Sequence, residues 1–256
     1  KNGRIPFPDG QMDYLRFGSG RDVLFMLPGL GDGLRSSYGL ALPTAILYRM
    51  YAKDYTVYMF SRKNQMPQGC TTADMARHVA QAMDTLGIRQ AHILGVSMGG
   101  MIAQHLAADF PEKVGKLILA VTSPRPNPVL TESIEEWVSC AKKGDHTAFM
   151  DSNLRRIYSE DYYRKNKWMG PIVGKLTKPK SYDRFFVQAN ACLTHDAYEN
   201  NICNNGVTLS KIYEVFLFVA FTLWRCSSFC LWFAFARWLA CRGLWLCRFP
   251  FLYHAI

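Results

Sequence analysis

Six consecutive residues, Gly95-Val96-Ser97-Met98-Gly99-Gly100, restrict what this chain can fold into more than any other stretch. They stand between an apolar run, Ala91 to Leu94, and a helix-like run, Met101 to Asp109. A serine with glycine two places before and two places after it fits a sharp strand-to-helix turn, a nucleophile elbow. There the backbone is strained and its neighbours come too close for side chains. Gly95 and Gly99 hold those two places. Such a turn pushes the Ser97 hydroxyl outward and puts the N–H of Met98 at the start of a helix, where the dipole favours negative charge. Attack on an acyl carbon needs both features. An ordinary tight turn is the plainer reading, and the flanking strand and helix count against it.

A second loop supports the same chemistry. Val23-Leu24-Phe25-Met26-Leu27 is a continuous apolar run, as expected of a strand buried on both faces of a mostly parallel sheet. It ends in Pro28-Gly29-Leu30-Gly31-Asp32-Gly33, which has neither the spacing and lysine of a phosphate-binding loop nor a dinucleotide fingerprint. Glycines there allow backbone N–H groups to approach an acyl oxygen, and by position Leu30 would donate one N–H and Met98 the other. A merely structural turn is the competing reading.

The rest of the first 122 residues reads as a strand–helix alternation. Residues 11 to 17 alternate in polarity and end at Gly18-Ser19-Gly20, which reads as a hairpin turn into the next strand. Tyr55 to Phe60 is another strand, followed by a polar loop, Ser61 to Gly69. Thr71-Thr72 can cap a helix whose apolar positions (Met75, Ala76, Val79, Ala80, Met83, Leu86) recur at helical spacing and stop at Gly87. Lys116 to Val121 supplies a strand after the elbow helix. The short links predict an α/β fold, a mostly parallel sheet covered by helices on both faces.

From Ser123 to Pro128, three prolines mark an exit from the sheet. Residues 131 to 195 read as short amphipathic helices rich in aromatic residues. They suit either a lid over a pocket or helices packed on the core. The expected organisation is therefore a core over 1–122, a helical cap over 123–195 and an atypical segment over 196–256.

The formal charge of +10 is unevenly spread: residues 142 to 184 hold eleven Lys and Arg against five Asp and Glu. Solvated helix faces account for this excess, and a basic cap that draws in an anionic substrate is the sharper alternative. Neither zinc-finger spacing nor aromatic–basic interleaving points to nucleic acid, and the cysteines form no paired metal-binding pattern. No cofactor or metal is expected. Nothing near Lys1 resembles a signal peptide, so a cytoplasmic location is expected.

Elbow, glycine loop and proline-marked insertion together resemble the α/β-hydrolase superfamily over residues 12 to 200. The segments Tyr48 to Lys53, Phe60 to Lys63 and Gln188 to His195 are similar to those of small bacterial α/β-fold hydrolases with a helical cap. The resemblance implies that Ser97 is the nucleophile of a serine hydrolase acting on an ester or related acyl bond in a small molecule. It also implies an acidic residue after a later strand and a histidine near the end of the chain.

Residues 201 to 256 do not match that expectation. They contain no Asp, one Glu (Glu214), one His (His254), five of the eight cysteines and fourteen aromatic residues. A shifted reading frame near residue 200 explains this composition, and a membrane-contacting segment is the lesser alternative. The other histidines are expected away from the elbow. His105 lies eight places along the elbow helix, about 12 Å from Ser97. His92 belongs to the far end of a strand, His78 and His146 read as surface residues, and His195, in the cap, reads as a surface residue with contact to substrate as the lesser alternative. The triad acid and histidine stay unassigned, so an impaired esterase is expected. The other class of reading is a non-catalytic or membrane-associated binding protein that keeps the fold.

Overall fold

Phe25 and Leu27 point to one face of a seven-stranded sheet and Leu24 and Met26 to the other, all four buried, as the apolar run predicts. The computed structural model describes residues 1–197 and the strand 212–215. Its strands are β1 (Asn2–Phe7), β2 (Gly10–Phe17), β3 (Asp22–Leu27), β4 (Tyr55–Lys63), β5 (Ala91–Val96), β6 (Val114–Ala120) and β7 (Ile212–Val215). They lie in the order β1-β2-β4-β3-β5-β6-β7. The first two pairings, β1 with β2 and β2 with β4, are antiparallel; every pairing from β4 to β7 is parallel. The chain is a mostly parallel α/β sheet.

Helices cover both faces. Helix α1 (Ala41–Leu47) packs on the side of Leu24, Met26 and Val57. Helices α2 (Thr72–Thr85) and α3 (Met98–Asp109) pack on the side of Phe25, Leu27 and Ile93. Thr71 caps α2 as expected: its hydroxyl accepts from the Asp74 N–H, and the Asp74 carboxylate accepts in return from the Thr71 N–H at 2.8 Å. Met75, Val79 and Met83 bury the inner face of α2, each contributing about 1.5–3 kcal/mol of apolar burial. In α3 every residue from Met98 to Ala108 is buried, so it runs through the core.

Among the described residues after β6 there are five helices: α4 (Pro128–Lys142), α5 (His146–Ile157), α6 (Glu160–Asn166), α7 (Met169–Thr177) and α8 (Asp183–Leu193). Pro128 opens α4 at a position whose missing N–H costs nothing, with Asn127 as its cap. Of the aromatic residues in this stretch, Phe149 and Phe185 are fully buried in the main core, 5.2 Å apart edge to face, whereas Trp168 is exposed. The packed-on-core reading therefore holds for part of α5 and α8.

Three expectations are corrected. Gly18-Ser19-Gly20 does not turn β2 into a paired neighbour, because β4 lies between β2 and β3. These glycines instead let residues 52–55 cross closely: a Cβ on Gly18 would stand 2.3 Å from the Tyr55 carbonyl oxygen. Ser61 to Lys63 belong to β4 rather than to a polar loop. They are buried, and partners offset much of the lost hydration: Ser61 Oγ accepts from Ser37 N at 2.8 Å, Lys63 pairs with Asp9, and Arg62 Nη2 donates to the Pro28 carbonyl. His146 and His195 are buried, not on the surface. The segment 201–256, apart from the backbone of β7, lies outside the described residues, and with it the readings made of its frame or membrane contact.

Candidate active site

Ser97 sits where β5 hands over to α3, with φ 52° and ψ −122°. A non-glycine residue there is strained by about 1–3 kcal/mol, and the surroundings hold it in place. Its N–H donates to the Ala120 carbonyl at 2.9 Å, and its own carbonyl accepts from Gly100 N at 2.8 Å. The hydroxyl caps nothing in α3, which leaves it available for chemistry. The glycine requirement has a concrete origin. A Cβ on Gly99 would lie 1.9 Å from the Leu27 carbonyl oxygen, and one on Gly95 would lie 2.5 Å from that of Gly99. Val121, at the end of the neighbouring strand β6, is the other non-glycine residue with positive φ (51°) among those described.

The loop after β3 runs beside the serine. Leu27 and Gly95 are partners in the β3–β5 register, and a Cβ on Gly29 would stand 3.4 Å from Ser97 Cβ and 3.8 Å from Oγ. Leu30 opens a 3-10 turn, Leu30–Gly33, and Met98 opens α3. Both are first-turn positions, whose N–H groups have no acceptor within their own helix. Two first-turn N–H groups therefore come from the two segments that meet at Ser97.

A buried ionic network backs this loop. Asp32 accepts from Arg62 N at 3.0 Å and from the Arg184 guanidinium at 3.0 Å. Arg62 donates to the Pro28 carbonyl, and Arg184 donates to the Arg62 carbonyl at 3.2 Å. Burial pushes the Arg62 pKa down, and the Asp32 charge opposes that shift. The loop is thus tied on one side to β4 and on the other to α8, whose backbone at Phe185 stands 2.8 Å from where a Gly33 Cβ would be. Sequence reasoning missed these three residues. The available signals were an acid inside a glycine-rich loop and a cation, Arg62, at the end of an apolar strand; nothing local marked Arg184.

Two of the described histidines meet, and three make separate contacts. His195 and His105 meet edge to face, with ring centroids 5.1 Å apart, and His195 Nδ1 lies 2.9 Å from Thr72 Oγ1. Burial first, then His105, pushes the His195 pKa down to about 4. His146 bonds Tyr182 and Thr177, His78 meets Phe7, and His92 meets Tyr55. His254 lies outside the described residues, and Glu214 is in register with Leu119 on β7. Among the described residues no cluster of three or more His, Cys, Asp or Glu could hold a metal ion, and no helix is long and apolar enough to cross a membrane.

Residues 22–143 match the family model of the alpha/beta hydrolase fold. The dihydrolipoyllysine-residue acetyltransferase component of the acetoin cleaving system of Cupriavidus necator is 36% identical over 111 residues, 43% of this chain and 29% of that protein. The chain thus spans under a third of that relative's length. Among solved structures, MGS-M2, an alpha/beta hydrolase enzyme from a Medee basin deep-sea metagenome library, aligns with a TM-score of 0.66 at 21% identity, covering 77% of this chain and 74% of the other. The enol-lactonase of Burkholderia xenovorans LB400 aligns with a TM-score of 0.60 at 21% identity, over 77% and 76%. With the sheet order and the strand-to-helix turn at Ser97, these matches show that residues 22–143 carry the alpha/beta hydrolase fold.

Proposed function

We propose that the protein is a serine hydrolase acting on an ester or related acyl bond of a small molecule, with Ser97 as nucleophile and the helices of residues 123–195 as a cap over the site. The observation that carries this reading is the strained backbone of Ser97 at the start of α3, beside the Gly29–Leu30 loop. Strain of this kind persists only where the surroundings enforce it, and it exposes the hydroxyl to an incoming carbonyl carbon. In the attack, Oγ bonds to that carbon and the carbonyl electrons move onto oxygen. The N–H groups of Leu30 and Met98 receive the oxyanion, each worth about 10²–10³ in rate. The alcohol leaves, and water releases the acid from the acyl-serine.

The hydroxyl proton needs a base. Four of the described histidines meet residues other than Ser97 (His195 meets Thr72, His146 Tyr182, His78 Phe7 and His92 Tyr55), and we assign neither base nor acid. Without them, binding and the oxyanion hole alone give about 10³–10⁴ over water. By name, one relative is an acetyltransferase component and one structural neighbour an enol-lactonase.

Labelling with a fluorophosphonate and turnover of a p-nitrophenyl acyl ester test the reading, each run beside Ser97→Ala. Slow hydrolysis that disappears with Ser97 is expected. Turnover unchanged in Ser97→Ala, or neither labelling nor turnover, would overturn it. Full esterase turnover through Ser97 would overturn only the impairment.

A further inference from the structure

Helix α7 turns its apolar side outward. Gly170 and Gly174 form its buried side, where a Cβ on Gly174 would lie 2.8 Å from the Thr147 backbone of α5. On the outer side, Trp168 is 64% exposed, Ile172 51% and Leu176 81%. Their spacing of four residues stacks them along one face, roughly 12 Å from end to end. A surface helix in a globular protein normally shows the reverse arrangement.

Exposed cations flank this strip along the chain. Between Asp161 and Asp183 the chain has six basic residues, Arg164, Lys165, Lys167, Lys175, Lys178 and Lys180, and no Asp or Glu. Arg164 pairs with Glu160, and Lys178 donates to the Gly144 carbonyl at 3.0 Å. The remaining four lysines make no ion pair with the described residues.

We propose that α7 and its flanking lysines dock the protein on an anionic lipid surface, with Trp168, Ile172 and Leu176 entering the boundary between headgroups and acyl chains. The arrangement matches a helix lying in the interface: an apolar face with an aromatic residue at its edge, and lysines whose stems reach back to the headgroups. A nucleic acid would engage the cations through phosphate but leave Ile172 and Leu176 without an apolar partner. A second copy of this face would bring like charges together. The docking does not depend on the role of Ser97.

Flotation of the full chain with vesicles tests the proposal. One set is phosphatidylcholine alone, the other equal parts phosphatidylcholine and phosphatidylglycerol. Binding to the anionic vesicles is expected to exceed binding to the neutral ones. It should disappear in Ile172→Ser/Leu176→Ser and fall roughly fivefold per charge in Lys167→Gln and Lys175→Gln. All four positions are exposed, and thermal unfolding of each variant checks that the fold is kept. Equal binding to both vesicle types, or none, overturns the proposal. Binding that survives in the variants belongs to another part of the chain and also overturns it. So does self-association, or capture of an RNA oligonucleotide, that is lost in the variants while vesicle binding is absent.

Discussion

Arg184 on α8 donates to the Asp32 carboxylate at 3.0 Å across 152 residues of chain, and so joins the inserted helices to the loop that runs beside Ser97. Asp32 is buried, and two guanidinium groups and a backbone N–H converge on it. Removing one partner of such a group leaves uncompensated charge in a low-dielectric interior, which costs about 3–5 kcal/mol. Asp32→Ala is therefore expected to be severely destabilised in urea unfolding. Arg184→Met, which removes one of two cations and keeps most of the volume, should cost less. An Asp32→Ala protein as stable as the wild type would mean that the network does not hold the loop.

The strain at Ser97 predicts a trade between stability and chemistry. Glycine adopts a positive φ without penalty, so Ser97→Gly should raise stability by about 1 kcal/mol while abolishing fluorophosphonate labelling. Calorimetry on the two proteins decides it. No gain in Tm would show that the backbone at Ser97 is relaxed.

Gly99 permits no side chain. Because a Cβ there meets the backbone of Leu27 at 1.9 Å, neither side can yield without separating α3 from β3. Gly99→Ala is expected to be insoluble or unfolded, and a soluble variant with wild-type circular dichroism would contradict the packing of the elbow.

His195 makes stability depend on pH. Its folded pKa, about 4, is below the ordinary 6.5 because burial and His105 disfavour the charged ring, while Asp196 works weakly the other way. Between these values the unfolded chain binds the proton and the folded chain does not. Stability is thus complete above about pH 6.5 and declines as pH falls toward 4, by roughly 3 kcal/mol in all. His195→Gln, still able to bond Thr72, should flatten this slope in urea titrations at a series of pH values. An unchanged slope would assign the acid sensitivity to other groups.

Met83 is fully buried under the sheet on α2. Met83→Ala should cost about 2–5 kcal/mol, read as a shift in denaturation midpoint. A cost below about 1 kcal/mol would mean that α2 is loosely packed.

Local chemistry alone determined the parallel α/β core, the glycine-flanked elbow and the capped helix α2. In each case the constraint acts between residues a few positions apart: helical spacing of Met75, Val79 and Met83, a continuous run at Val23 to Leu27, and Gly95 and Gly99 around Ser97. The strand order and the fate of the polar residues were decided only in three dimensions. Gly18 to Gly20 has the composition of a hairpin turn, yet β4 comes in from 35 residues downstream to pair with β2. Arg62, Lys63, His146 and His195 look solvent-facing as isolated side chains. Each is buried and meets a distant partner (Asp32, Asp9, Tyr182 or Thr72). A polar side chain's place depends on whether the fold brings it a partner that offsets its lost hydration, and neighbours in sequence carry no record of that.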